Sequence, residues 1–423
     1  MRTIKTILSA LLPNFLLKRL LSSYHLFLAW FGAVLYGFPA RHMIVIGVTG
    51  TKGKTSTTEM VNAILEEAGM KTALMNSIRF KTDTDSKRNL TRMSMPGRFF
   101  IQRFLYNARK RGCTAAVLEM TSEGARQHRH RFIDLNTLIF TNLAPEHIES
   151  HGSLEAYANA KFEIGRELVR STKRPRSIVA NADDRESGRY LILPVENSIP
   201  FTLSGASPWK ADERGGSFTL EGETISVHLP GEFSLKNALA ASLTAHALGI
   251  PNSTIKRAFE KITTIPGRAE RVEEGQSFTV VVDYAHTPDS LQALYAAYKG
   301  VRKICILGST GGGRDTWKRP VMGRIADELC DVVILTNEDP YDEDPKQIVG
   351  DLAHGMTRKP TIIMDRREAI AHALKNAQPG DAVLITGKGT DPDIRGPHGT
   401  KQVWSDAVVA REELQSLLGK SAV

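Results

Sequence analysis

From His42 onward, short apolar runs alternate with longer stretches whose apolar residues recur at helical spacing, which is the pattern of parallel βαβ units. Candidate strands occupy 43–48, 114–120, 137–141 and 177–180. After Pro266 the alternation restarts, with candidate strands at 279–283, 303–307, 332–336, 361–364 and 382–386. The fold class is therefore α/β, read as two consecutive domains at 42–267 and 268–423 behind an apolar segment at 1–41. The stretch 204–229, with Gly215-Gly216 and alternating Phe218, Leu220, Ile225 and Val227, reads as a small antiparallel hairpin attached to the first domain.

With 423 residues, 41% hydrophobic, the chain can bury two cores, and its 24% of charged residues are mixed in sign, which argues against disorder. A net charge of +9 is compatible with nucleic acid, but no basic run is interleaved with aromatics. A small anionic substrate accounts for the excess equally well, and no nucleic-acid partner is expected. Cys113, Cys305 and Cys330 include no CxxC pair, so neither a disulfide framework nor a zinc ribbon is supported, and a reducing cytoplasm is the natural compartment.

The stretch 21–40 carries no Lys, Arg, Asp or Glu and follows Lys18 and Arg19. It is just long enough to span a bilayer, lacks a small-residue cleavage site, and contains Gly32, Gly37 and Pro39, which weaken a simple helix. Three readings stay open: a helix or hairpin packed on the next domain, peripheral membrane contact through residues 1–40, or a true span.

The run Gly47-Val48-Thr49-Gly50-Thr51-Lys52-Gly53-Lys54-Thr55-Ser56 follows an apolar strand and precedes a helix with Met60, Val61, Ile64, Leu65 and Ala68 on one face. That is the strand-loop-helix context of a phosphate loop, so the first domain is read as a P-loop-type ATPase domain and the second as Rossmann-like. Glycines let backbone N–H groups converge on phosphate, Lys54 supplies a cation, and the Thr55 hydroxyl reaches Mg²⁺. Val48 occupies the place of the first glycine in the strict motif. Glu119 ends a strand where a carboxylate faces the phosphate site, although taken alone it reads equally as a helix-start acid.

This variant loop resembles that of the Mur ligases and the folylpolyglutamate synthases. The run Thr141-Asn142-Leu143-Ala144-Pro145-Glu146-His147, with His151-Gly152 beyond it, resembles the Mur motif TNLxxDHxxxHG, and Tyr157 to Lys161 its YxxAK. The resemblance implies ATP and two Mg²⁺ ions as cofactors. Thr55, Glu119 and His147 would stand at metal, with Lys161 carbamylated to hold the second ion, while Gly50, Thr51, Lys52, Gly53 and Ser56 cradle phosphate.

Farther on, Asn237 in Lys236-Asn237-Ala238-Leu239 resembles the residue near adenine. Arg268 in Pro266-Gly267-Arg268 resembles the phosphate-contacting arginine, and Asp283 in Asp283-Tyr284-Ala285-His286-Thr287-Pro288 the ribose-contacting aspartate. The last motif separates Mur-type ligases from the folate branch. Gly308 to Pro320 and Asp365 to Ile370 resemble GxGGxRDxxKRP and DRxxAI, so the resemblance runs from about Ile44 to about Leu414. It is closest to the tripeptide synthetases, but only some forty mostly apolar residues stand where those enzymes carry a uridine-binding domain.

The implied reaction phosphorylates a muramoyl-peptide carboxylate and lets an amino acid attack the acyl phosphate, with Lys54, Lys161, His147 and Arg268 as catalytic residues. Ser94, Thr121, Gln127 and Arg129 match the acceptor segment, with Met95 where a hydroxyl residue is usual. Arg314 is implied to hold a carboxylate of the incoming amino acid. Diaminopimelate-adding relatives carry DNPR, where this chain has Glu338-Asp339-Pro340-Tyr341, and GKGHE appears as Gly387-Lys388-Gly389-Thr390-Asp391. Loss of that arginine and gain of acid favour lysine or ornithine. Two alternatives are a Mur-type ligase acting on a lipid-linked acceptor and a non-catalytic membrane-associated binding protein.

Overall fold

Runs rich in Val, Ile, Leu and Ala have no polar side to turn to solvent, so they become strands covered on both faces. The computed structural model of the protein describes residues 14–420 apart from His147 and Arg314, so the roles expected of those two lie outside the described residues. Its first sheet carries β1 (Ile44–Thr49), β2 (Thr72–Met75), β3 (Arg79–Thr82), β4 (Asp85–Arg88), β5 (Ala115–Glu119), β6 (Thr137–Phe140), β7 (Ser177–Asn181) and β8 (Asn197–Phe201). The strand order is β4-β3-β2-β5-β1-β6-β7-β8, parallel from β2 to β8, with β3 and β4 antiparallel at one edge. In the centre, β1 lies between β5 and β6 with Val48 opposite both Glu119 and Ile139, so the loops that follow these strands emerge together.

The four expected strands of this sheet are present. The sequence reading omits β2, β3, β4 and β8; the last two break the apolar pattern, since Ser86, Lys87 and Arg88 in β4 are exposed and β8 includes Asn197 and Pro200, whereas β2 is buried and only four residues long.

Of the three readings of the N-terminus, the described residues form a helix, α1 (Asn14–Leu35). Leu17, Ala29 and Ala33 are buried, and the Phe31 ring meets Phe99 edge-on at 6.1 Å. Gly32 allows this approach, since a side chain there would start 3.4 Å from the Phe99 ring. Among the described residues no helix is long and apolar enough to cross a membrane. Two further helices matter for the site: α2 (Lys54–Glu67) after β1, and α3 (Arg98–Lys110), which packs on α1.

The segment 204–229 contains β9 (Lys210–Ala211), β10 (Gly216–Leu220) and β11 (Glu223–Val227), antiparallel, with Phe218 opposite Ile225 in the interior. The hairpin is as expected, but it groups with the C-terminal unit rather than with the first domain. There Arg271 donates to the Glu213 carbonyl at 2.5 Å.

The second sheet comprises β12 (Glu270–Arg271), β13 (Thr279–Asp283), β14 (Lys303–Leu307), β15 (Val332–Leu335), β16 (Thr361–Ile362) and β17 (Ala382–Thr386). Their order is β12-β13-β17-β14-β15-β16, parallel apart from β12, which is a doubly wound arrangement. Cys305 in β14 and Cys330 before β15 are joined in a disulfide, contrary to the sequence expectation. The crossover between two adjacent parallel strands returns the chain to its neighbour, a proximity that spacing along the sequence does not reveal.

Two compact units result. One runs to Leu143 and takes in Glu155–Thr202 and Ala240–Thr254; the other takes Ala144–Leu154, Leu203–Leu239 and the chain from Ile255 onward. In the second, the Arg366 guanidinium bonds both oxygens of Asp406 at 2.8 and 2.7 Å, with both side chains fully buried. Asp406→Ala leaves this guanidinium buried without its carboxylate, an expected loss of about 3–5 kcal/mol in denaturant unfolding. A change below 1 kcal/mol would remove the pair from the stabilising framework.

Candidate active site

The phosphate loop begins where β1 ends and closes where α2 starts. Gly53, at φ 81°, precedes the helix directly, so Lys54 and Thr55 are its first residues and their backbone N–H groups face out of its N-terminus. Gly50 sits at φ 144°, and a Cβ there would lie 1.9 Å from Thr141 Oγ1. The loop is held from the adjacent strand end: Thr51 N donates to the Asn142 carbonyl at 2.8 Å and Lys52 N to Asn142 Oδ1 at 2.9 Å. Thr141 Oγ1 returns a bond to the Lys52 carbonyl at 2.6 Å. Gly50→Ala is expected to destabilise the protein by about 1–3 kcal/mol, read by denaturant unfolding, because the added methyl strikes this clamp in a backbone region that side chains disfavour.

Lys54 curls back on the loop, its Nζ donating to the Thr51 carbonyl at 2.8 Å. Thr55 donates to Glu119 Oε2 at 2.8 Å and lies 2.9 Å from Ser77 Oγ. Glu119 is buried at the end of β5, and its second oxygen accepts from Ser94 at 2.7 Å. Hydroxyls and a carboxylate are the hard oxygen donors that Mg²⁺ takes. Among the described residues no cluster of three or more His, Cys, Asp or Glu side chains is assembled.

Lys161 is 2% exposed in the helix Leu154–Arg170. Its Nζ reaches the Gly50 carbonyl at 2.5 Å and stands 4.7 Å from the centre of the Tyr157 ring, whose hydroxyl is 3.1 Å from Thr51 Oγ1. Lys161 thus stands against the loop itself, with its amine at the first glycine of the turn.

The expected acceptor residues gather around Met95. Thr121 caps the short helix Ser122–Arg126, and its N–H donates to the Met95 sulfur at 3.4 Å. Arg129 donates to the Met95 carbonyl and, at 2.8 Å, to Gln127 Oε1. Met95, expected to stand where a hydroxyl residue is usual, is buried and forms part of the framework under this segment. Ser94, expected at the acceptor, donates instead to Glu119 at the end of β5.

In the C-terminal unit the motif loops follow the C-terminal ends of parallel strands, where doubly wound sheets place ligands. Asp283 ends β13, and its two oxygens accept from the Ala269 and Ala285 N–H groups, both at 2.6 Å. Arg268 lies 4.7 Å over the Tyr284 ring and donates to the Gly267 carbonyl. Gly267, at φ 62°, approaches Thr390 so closely that a Cβ would lie 2.6 Å from its nitrogen.

The acids expected in the amino-acid pocket are already engaged within the protein. Lys388, 1% exposed, donates to Asp339 at 2.7 Å and lies 3.6 Å from Asp391. Asp339 also accepts from the Arg395 N–H at 2.8 Å. Glu338 accepts from Thr310 at 2.8 Å, and its Oε2 has no hydrogen-bond partner among the described residues. Burial, reinforced by neighbouring Asp339, pushes its carboxyl above the usual carboxylate range. Gly387 stands against it, where a Cβ would be 2.3 Å from Oε2, and Tyr341 sits at φ 54°.

Sequence reasoning gave no role to Ser77, Tyr157 or Lys388. Tyr157 and Lys388 lie inside recognised motifs, which is a usable signal; nothing around Ser77 points to it. Asn237 is buried in the helix Gly231–Ala247, and Ser56 lies in the first turn of α2.

Residues 48–245 match the Mur ligase middle domain and residues 267–389 the Mur ligase, glutamate ligase domain. A UDP-N-acetylmuramoyl-L-alanyl-D-glutamate–2,6-diaminopimelate ligase of Halalkalibacterium halodurans is 33% identical over 386 residues, 88% of this chain and 77% of that relative. A UDP-N-acetylmuramyl-tripeptide synthetase of Roseiflexus sp. is 36% identical over 422 residues, 92% of this chain and 82% of its own length. A solved UDP-N-acetylmuramoyl-L-alanyl-D-glutamate–2,6-diaminopimelate ligase is similar at a TM-score of 0.61 and 28% identity, covering 89% of this chain and 79% of that one. With two matched domains in order around a clamped phosphate loop, the chain belongs to the Mur ligase family of ATP- and Mg²⁺-dependent ligases.

Proposed function

We propose that this protein is an ATP-dependent amide ligase that adds an amino acid to a muramoyl-peptide in peptidoglycan synthesis, as its tripeptide-synthetase relatives are named for doing. The observation that carries this reading is the bond from Thr55 to Glu119 beside Lys54 at the helix N-terminus. The two catalytic domains are assigned to 42–267 and 268–423.

Carboxylate is a poor electrophile, so the γ-phosphate is first transferred to it, and the amino acid then attacks the acyl carbon and expels phosphate. Lys54 and the Gly50 to Ser56 loop hold the charge of the transferring group, with Arg268 as the second cation. Bound Mg²⁺ supplies further neutralisation of phosphate charge. Thr55 and Glu119 would hold the first ion together with His147. Lys161 would serve the second after its neutral amine adds CO₂ and releases a proton, turning a cation into a carbamate. Asn237 and Asp283 are assigned to adenine and ribose. Thr121, Gln127, Arg129 and Ser94 are assigned to the acceptor, and Arg314, Asp339, Tyr341, Gly387 and Asp391 to the amino acid. The cytoplasm is the expected location, with residues 1–40 against the membrane.

An assay of ADP release across muramoyl-peptide acceptors and amino acids, with mass analysis of the product, tests the reading. A product heavier by one amino-acid residue is expected, and ATP turnover without an amide product would remove it.

A further inference from the structure

Helix α1 is apolar on two sides, and among the described residues only one of them is covered. Leu17, Ala29, Gly32 and Ala33 face the body of the first unit. The other stripe, Leu20, Tyr24, Phe27, Trp30, Phe31 and Leu35, recurs at helical spacing and is exposed, Phe27 by 56% and Leu35 by 59%. Phe27 stacks on Phe31 at 6.2 Å and lies 5.9 Å from Trp30, so these three rings form a joined aromatic patch within the exposed stripe. Contiguous apolar patches of this kind mark a binding surface.

The two helices that carry this surface, α1 and α3, have basic residues and no acidic ones. No Asp or Glu precedes Glu59, and none occurs between Asp85 and Glu119, a span that includes all of α3 with Arg98, Arg103, Arg109 and Lys110. Lys110 sits 4.8 Å over the Tyr106 ring, which in turn touches Tyr36 just beyond the end of α1. Arg19 is exposed near the other end. Tyr, Trp and Phe within a basic surround match a bilayer interface with anionic headgroups.

The same helix is wired to the acceptor segment. Ser22 Oγ lies 2.8 Å from His128 Nε2, and His25 Nδ1 lies 2.9 Å from Arg98, whose guanidinium also donates to the Gln127 carbonyl at 2.9 Å. Gln127 and Arg129, which flank His128, are two of the assigned acceptor residues.

We propose that the exposed face of α1 docks on an anionic lipid surface and that the acceptor carboxylate is presented there on a membrane-borne amphiphile. The acceptor assignment rests on the ligase reading above. Docking holds Gln127 and Arg129 beside the headgroup layer, so a lipid-carried peptide reaches them without leaving the bilayer.

The test uses the full chain, the Phe27→Glu/Trp30→Glu double variant and Lys110→Glu. Flotation is measured with vesicles of phosphatidylcholine and phosphatidylglycerol, and with phosphatidylcholine alone. Amide formation is measured with a soluble nucleotide-linked muramoyl-peptide and with a lipid-linked one in the mixed vesicles. The unaltered protein should float with the mixed vesicles. The double variant should bind at least about tenfold more weakly, and Lys110→Glu severalfold more weakly on the anionic vesicles only. Both variants should use the soluble acceptor normally, which shows them folded, while the double variant loses at least about tenfold on the lipid-linked one. Failure of the unaltered protein to float, or equal use of the lipid-linked acceptor by it and the double variant, overturns the proposal. So does a dimer that the double variant dissociates without any vesicle binding, which would assign the face to a second copy. Flotation with no amide from either acceptor upholds the docking surface but removes the ligase reading and, with it, the acceptor assignment.

Discussion

Lys54→Ala and Lys161→Ala are each expected to lower ATP-dependent amide formation by about 10²–10³-fold while the protein stays folded. Lys54 places a charge at the mouth of the loop, and its bond to the Thr51 carbonyl is local. Removing it takes positive charge from the transferring phosphate and leaves the core intact. Lys161 is different, because it is buried and its amine lies against the Gly50 carbonyl. Its loss removes either that bond or, once the amine is carbamylated, the anion assigned to the second Mg²⁺. Steady-state turnover combined with thermal unfolding distinguishes lost chemistry from lost structure. Bicarbonate or a small carboxylate should partly restore Lys161→Ala by replacing the carbamate oxygens, and near-normal turnover of the unrescued variant would rule out the carbamate.

Diaminopimelate is expected to be at least about a hundredfold poorer than lysine, because a desolvated distal carboxylate without a guanidinium costs on the order of 3 kcal/mol. The expectation rests on the motif resemblance, which sets Tyr341 where the diaminopimelate-adding motif has its arginine. Asp339 and Asp391 are shared with buried Lys388, and Glu338 is pushed towards its neutral form, so the extra acids draw a lysine ammonium less than their number suggests. The discrimination therefore rests mainly on the missing arginine. Side-by-side kinetics with the two amino acids test it, and Tyr341→Arg should raise diaminopimelate use by about two orders of magnitude. A clear preference of the unaltered protein for diaminopimelate would place the carboxylate-binding group elsewhere in the pocket.

Apolar periodicity located most interior strands of both sheets, though not the four-residue β2, because a strand covered on both faces needs an unbroken apolar run that is visible in a few consecutive residues. The phosphate loop was legible for a similar reason: its glycines, lysine and threonine are contiguous, and their chemistry depends on local backbone geometry. Edge strands such as β4 and β8 escaped notice, since half-exposed strands tolerate polar residues and need no such run.

What tertiary structure alone decided is which distant groups meet. The motif around Thr141 and Asn142 was readable, but its role as a clamp on the loop depends on β1 and β6 lying side by side. The neutralisation of Asp339 by Lys388, across 49 positions in the chain, follows from β15 and β17 flanking β14 and ending at the same edge. The Cys305–Cys330 bond and the contact of α1 with the segment around His128 are of the same kind. Local conformation depends on neighbours in sequence, whereas the pairing of buried polar groups depends on strand order and packing, which no window of consecutive residues contains.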